Sequence, residues 1–256
     1  MIKFKTFSWA DIEFDDMETI ESTGPGIPRL YITPEGNLPS MTSILSVLDD
    51  GGGLDSWRDR VGHEEADRIT REAGDRGNAL HDYNELYLQN RLQRSDLKGQ
   101  ARTLFNRVKP YLDEIQLVVA TEVALYDPVS GYAGRVDCVC MTDDKIMITD
   151  HKNSRNPISP DVAWKRQKLF KYMIQTCGYR RALNYMKGIE ASHGCLIVGN
   201  HLTSNSTRFT FDLEPLEYEL GLVVEAYRDG TNAPESVFYD DDRLVTLLSD
   251  CNLKVD

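Results

Sequence analysis

Apolar positions along this chain recur with two different periods, and the changes of period divide it into elements. Near the start KFKTFSW and RLYIT alternate like strands, and PEGN reads as a turn. Pro39-Ser40-Met41-Thr42 has the form of a helix start, continued by ILSVL and broken at residues 49–53. A long helical region follows over 54–94, with an interruption expected near 74–77, and Leu80, Tyr83, Tyr87 and Leu88 repeat at helical spacing. A further helix over 97–115 offers Leu104, Phe105, Val108, Tyr111 and Leu112 as its apolar face. The period then drops to two. LVVATEVALYD is a strand signal, as are residues 131–140 and the β-branched run 146–151. Helical spacing returns over 159–186, with Trp164, Leu169, Tyr172, Met173 and Tyr179 as the positions expected to be buried. GCLIVGN reads as a central strand and TRFTFDL as another, and helices are expected over 215–227 and in DDDRLVTLLSD.

This order predicts an α/β fold with a central mixed β-sheet flanked by helices and an N-terminal helical elaboration. A length of 256 residues suits a single domain. Its expected parts are a strand-and-loop segment over 1–38, a helical cap over 39–115, a core over 116–213 and an acidic helical end over 214–256. Hydrophobic content of 41% and charged content of 27% fit an ordinary globular core. No apolar run approaches the roughly 18 residues that span a bilayer, and the start lacks a signal-peptide pattern, so a cytoplasmic protein with no membrane partner is expected. The five cysteines form no CxxC pair, which points to buried free thiols and to no iron–sulfur cluster.

The net charge of −12 argues against a polyanionic partner until its distribution is seen. Residues 212–256 carry twelve acids against Arg228, Arg243 and Lys254. Residues 152–187 carry nine basic residues against Asp161 alone. Such a segment is either a solvated helix face or a place for a phosphate backbone.

The chemistry gathers in GYAGRVDCVCMTDDKIMITDHKNS, which reads as two strands and a tight turn. Alternation puts Arg135, Asp137 and Val139 on one face and Val136, Cys138 and Cys140 on the other; on the returning strand Asp150 and Lys152 project together. Antiparallel pairing brings Asp137 alongside both. Two close carboxylates repel unless a cation lies between them, and a hard divalent ion takes oxygen ligands while keeping waters for substrate. An Asp–Lys ion pair at the hairpin end is the plainer alternative. His81 falls on an amphipathic helix, where a surface or packed role is open to it, and Gln175 and Tyr179 lie one turn apart on a face shared with Lys168 and Lys171.

GRVD, thirteen residues ahead of the acid in TDHK, resembles the metal site of PD-(D/E)xK nucleases. QTCGY, Gln175 to Tyr179, resembles the Q-x-x-x-Y of the RecB-like exonuclease branch, and RGNALH, Arg76 to His81, resembles its upstream histidine motif. The likeness spans about residues 39–186 and is greatest to the mitochondrial genome-maintenance exonuclease type and its phage and bacterial relatives. It implies a restriction-endonuclease-like core and a Mg²⁺- or Mn²⁺-dependent exodeoxyribonuclease acting on single-stranded DNA or frayed ends in replication, repair or recombination, in a bacterial or phage-infected cell. It implies Asp137, Asp150 and His81 as metal ligands with the His151 carbonyl, Lys152 as the catalytic lysine, and Gln175 and Tyr179 as groups that position the site or contact substrate. Arg135, Arg76, Lys168 and Lys171 are candidate phosphate contacts, Arg58 and Trp57 candidate walls of a passage, and Glu122 a secondary acid. Val136 stands where many members have proline. No GxxxxGK[ST] motif is present, so unwinding would fall to a separate helicase or recombination protein. A structure-selective endonuclease and a non-catalytic DNA-end-binding module are the competing readings.

Overall fold

The structure is a computed structural model that describes residues 4–24, 26–49, 53–203, 205–233 and 240–256. Its main sheet has seven strands in the order β1-β5-β6-β7-β8-β9-β10. These are β1 (Ser8–Trp9), β5 (Leu117–Asp127), β6 (Tyr132–Thr142), β7 (Lys145–Ser154), β8 (His193–Asn200), β9 (Thr207–Asp212) and β10 (Lys254–Val255). The β1–β5 and β7–β8 pairs are parallel and the other pairs antiparallel. A small antiparallel sheet of β2 (Thr19–Ile20), β3 (Leu30–Thr33) and β4 (Gly36–Pro39) stands apart. The mixed α/β architecture expected from the sequence is therefore present.

Helices cover both faces. On one lie α3 (His63–Leu88) and α4 (Gly99–Leu112), whose Leu80, Tyr87, Leu104, Phe105 and Val108 pack with Cys138, Cys140 and Ile197 of the sheet. On the other lie α1 (Met41–Ile44), α5 (Ala163–Lys187), α6 (Glu217–Asp229) and α7 (Asp241–Asp250), packed on Val136, Val139, Ile148 and Leu196. The short α2 (Gly53–Val61) precedes α3. A parallel β7–β8 pair needs a crossover, and α5 supplies it. This connection brings a helix to the same strand that ends in Asp150 and Lys152.

The hairpin turn follows from its residues. Asp143 and Asp144 both take positive φ, 50° and 59°, the left-handed pair that a two-residue hairpin turn requires and that Asp tolerates. Ser40 caps α1 by accepting the Ser43 N–H at 3.1 Å.

Several expectations are corrected. The helical interruption lies at Gly62 (φ 88°), between α2 and α3, and not at 74–77; Gly74 and Gly77 are interior to α3. A glycine able to adopt that φ breaks the helix, whereas one turn before Gly77 the Ala73 carbonyl accepts a hydrogen bond from Asn153 Nδ2 at 3.1 Å, tying α3 to β7. In KFKTFSW only Ser8 and Trp9 form a strand. The Phe7 backbone instead bonds the Asn90 side chain in both directions, at 2.7 and 3.0 Å, so its polar groups need no strand partner. Trp164 is 60% exposed, because it is the second residue of α5 and the helix meets the core only from Arg166 onward. The glycine break expected at residues 49–53 falls mostly outside the described residues.

The β6 faces also differ from strict alternation. Val136 packs with Val139 against the α5 side, while Cys138 and Cys140 pack on the α3–α4 side. The alternation is interrupted where Glu122 of β5 takes φ 50° across from Asp137, between the paired positions Thr121–Cys138 and Val123–Val136.

Gly134, in the GRVD stretch, is closely packed. A Cβ there would lie 2.6 Å from Cε1 of the Tyr179 ring, itself buried. Gly134→Ala is expected to destabilise the fold by about 1–3 kcal/mol, read as a lower urea midpoint at unchanged slope. An unchanged midpoint would show that the ring yields freely.

Candidate active site

The β6–β7 ladder runs from Thr142–Lys145 to Cys138–Thr149 and stops there. Beyond it β6 pairs only with β5, and β7 continues with β8 from Asp150–Leu196 to Ser154–Asn200. The two strands splay, and Asp137 and Asp150 stand at the apex. Asp137 Oδ2 accepts the His151 N–H at 2.6 Å, so a carboxylate takes a strand amide that has lost its ladder partner.

Period two along β7 then sends its side chains to opposite faces. Toward α5 go Asp150 and Lys152. Lys152 Nζ lies 2.9 and 2.7 Å from the two Asp150 oxygens, and donates to Gln175 Oε1 at 3.3 Å. Gln175 Nε2 donates to the Tyr179 hydroxyl at 2.9 Å. The Lys152 ammonium also sits 4.9 Å from the centre of the Tyr172 ring. Toward α3 goes His151, whose ring is 6.0 Å from that of His81. His81 Nδ1 is 3.5 Å from Asp137 Oδ2 and 3.8 Å from Glu122 Oε1.

The electrostatics separate the two acids. Burial pushes the Asp150 carboxyl up to about 6, with the Asp137 charge adding to it and Lys152 only partly opposing. Burial acts the same way on Asp137, but the His81 charge and hydrogen bond outweigh it and hold that carboxyl below the usual range. Burial tends to lower His81, yet Asp137 and Glu122 overcome this and push it up to about 10. Burial takes the His151 ring down to about 4, so it stays neutral. Lys152 is raised, since the two aspartates more than offset its burial. A neutral ring and an ionised carboxylate are the forms that ligate metals, so His151 and Asp137 stand ready and His81 must release its proton when an ion binds.

His81, Asp137 and His151 each offer a ligand atom within 4.8 Å of the others. The buried Nε2 of His151 has no hydrogen-bond partner. A two-imidazole, one-carboxylate set with an orphaned nitrogen fits a divalent ion. Beside the expected donors the structure shows two further features. The ring of His151 stands beside the other donors, a placement that period two already implied for a residue between Asp150 and Lys152. Asp150 instead faces α5, engaged by Lys152. A cleft of about 450 Å³ lined by Asn78, His81, Asp82, Glu85, Glu122 and Arg135 opens beside them.

The remaining candidates are placed as follows. Glu122 borders the His81 group, with burial raising its pKa. Arg135 donates to the Glu122 carbonyl and reaches Asp16 at 3.4 Å, so it braces the strained β5 residue and does not contact the aspartates at the apex. Arg76 lies on α3, bonded to Gln100 at 3.3 Å. Lys171 is paired with Asp49 and Arg58 with Asp67. Trp57 is half-buried on α2.

No family model matches the chain. It is 23% identical over 221 residues, 83% of its length, to mitochondrial genome maintenance exonuclease 1 of Homo sapiens. The chain spans 56% of the length of that curated relative. A solved structure, the crystal structure of SSO0001, aligns over 82% of this chain and 73% of its own at a TM-score of 0.30 and 13% identity. Among the described residues no helix is long and apolar enough to cross a membrane.

The His81 shift gives a stability test. Its folded pKa of about 10 exceeds the ordinary 6.5, so its contribution is full below pH 6.5 and is lost as pH climbs toward 10. The raised Asp150 pKa acts lower, between about 4 and 6. In metal-free protein, urea midpoints should therefore fall across pH 6.5–9.5, and His81→Gln should flatten that fall. Parallel profiles for the two proteins would refute the His81–Asp137 coupling.

Proposed function

We propose that this protein is a metal-dependent deoxyribonuclease of the PD-(D/E)xK type, RecB-like branch, working as an exonuclease on single-stranded DNA or frayed ends. The observation that carries the reading is the division of labour at the splayed strand end. A metal-ligating group, His81–Asp137–His151, lies on one face and a charged lysine, Lys152, on the other, joined through adjacent residues of one strand. The similarity to a human exonuclease supports it.

His81, Asp137 and His151 would hold the ion, with Asp150 and Glu122 as nearby acids. The imidazole share of the donors favours Mn²⁺ over Mg²⁺. Bound there, the ion supplies a Lewis acid and a water of lowered pKa. The protein's own groups do the rest. Asp150 holds Lys152 in place and ionised, so that its ammonium meets negative charge on a phosphate. Gln175, backed by Tyr179, fixes the lysine from the helix side. Lys168 lies one helical turn ahead of Tyr172 as a phosphate contact. A helicase or recombination protein would present the unpaired end.

The test uses end-labelled linear and circular single-stranded DNA with Mn²⁺ or Mg²⁺. Wild type should degrade the linear strand and spare the circle. Lys152→Ala should lose about 10²–10⁴-fold in rate, while Mn²⁺ binding by calorimetry stays intact. Cleavage of neither DNA would remove the enzyme reading, and cleavage of the circle would replace exonuclease by endonuclease.

A further inference from the structure

We infer that Trp164 and Tyr172 form a base-stacking shelf on α5, beside Lys152, that receives an unpaired nucleotide. The inference rests on the single-stranded DNA reading above and specifies how the strand is chosen.

Trp164, Lys168 and Tyr172 are four residues apart in succession, so they form one stripe along the helix. The Trp164 ring is 60% exposed at the head of that stripe, with nothing from the core laid over it. Lys165 Nζ lies 5.5 Å from the Trp164 ring centre, and Lys168 Nζ 5.9 Å from that of Tyr172. Lys152 Nζ also lies 4.9 Å from the Tyr172 ring centre. The stripe borders a depression of about 330 Å³ that also takes in Leu48, Gln167 and the Asp49–Lys171 ion pair, within the usual size of a small-ligand pocket, roughly 300–1,000 Å³.

The chemistry commits the occupant. The exposed Trp164 ring, with Tyr172 and Leu48 beside it, suits the flat, apolar face of a nucleobase, and an amide at Gln167 suits its edge. Lys168 has no carboxylate within ion-pair distance among the described residues, whereas Lys171 is held by Asp49 and Arg166 by Asp241. In a chain of net charge −12, ammonium groups left beside aromatic rings match an anion that also stacks. A nucleotide of a single strand is both. A duplex keeps its base faces stacked inside, so the shelf selects unpaired strands without reading sequence. Its contact with Lys152 places the stacked base next to the phosphate at the apex.

The experiment measures binding without turnover. Wild type, Trp164→Ala and Trp164→Phe are titrated in EDTA with a dT oligonucleotide, an abasic oligonucleotide of equal length and a blunt duplex, by fluorescence anisotropy of a label on the DNA. Wild type should bind dT more tightly than either competitor. Trp164→Ala should weaken dT binding about tenfold, in the range of one lost stack, and leave abasic binding unchanged; Trp164→Phe should retain most of the dT affinity. Equal dT affinity of wild type and Trp164→Ala, or abasic binding as tight as dT, would overturn the shelf. Because no metal or cleavage enters, the two readings separate. Base-dependent binding without Mn²⁺-dependent cleavage keeps the shelf and discards the nuclease. Cleavage with no effect of Trp164 does the reverse.

Discussion

The structure turns on the point where β6 and β7 part. A hairpin ladder would ordinarily continue through Asp137 and Asp150, burying two carboxylates against each other. It ends one pair earlier, at Cys138–Thr149, and the Asp137 carboxylate takes the His151 amide in place of a backbone carbonyl. That single charge-assisted bond closes the ladder and opens the wedge. β7 continues along β8, with which it pairs in parallel from Met147 onward, the α5 crossover lies over it, and Tyr179 fits against the bare backbone of Gly134 on β6. The positive φ of Glu122 on the next strand belongs to the same distortion. Backbone strain and close acids are costly, and they persist because the helices on both faces over-determine them.

Charge is arranged around this wedge in a way that net charge conceals. The basic stretch and the acidic end, far apart in the chain, meet at three arginines: Arg166 pairs with Asp241, and Arg180 and Arg181 share Glu217. Part of the unevenness seen in the sequence is thus internal pairing between α5 and the helices packed beside it. What remains available on α5 is the small set at its exposed end.

The sequence made the sheet and its helical layers readable because period two and period 3.6 segregate cleanly along the chain. The hairpin, the Asp150–Lys152 pair and the Gln175–Tyr179 turn were legible for the same reason, being set by spacing within single elements. Four features were not. The face of Val136 depends on a conformation of Glu122 in another strand. The break was expected at the glycines of 74–77, but both stay within α3 and the left-handed φ falls at Gly62. Trp164 has the right phase for burial but lies before the core begins. His151 was expected to contribute its carbonyl, although alternation between Asp150 and Lys152 already turned its ring toward His81.

The five cysteines add a practical property to this architecture. All are free and buried, two of them in β6 directly under the α3–α4 layer and a third on β8 nearby. Burial pushes the Cys195 and Cys251 thiols up to about 12 and Cys177 well above its usual range. The Cys140 thiol is instead lowered by its hydrogen bond with Cys138, and its burial alone shields it; thiols that are protonated or so shielded are poor targets for oxidants. Sulfur therefore acts here as a packing atom, and alkylation of the native chain reports the opening of its layers, strand by strand, more directly than it reports redox state.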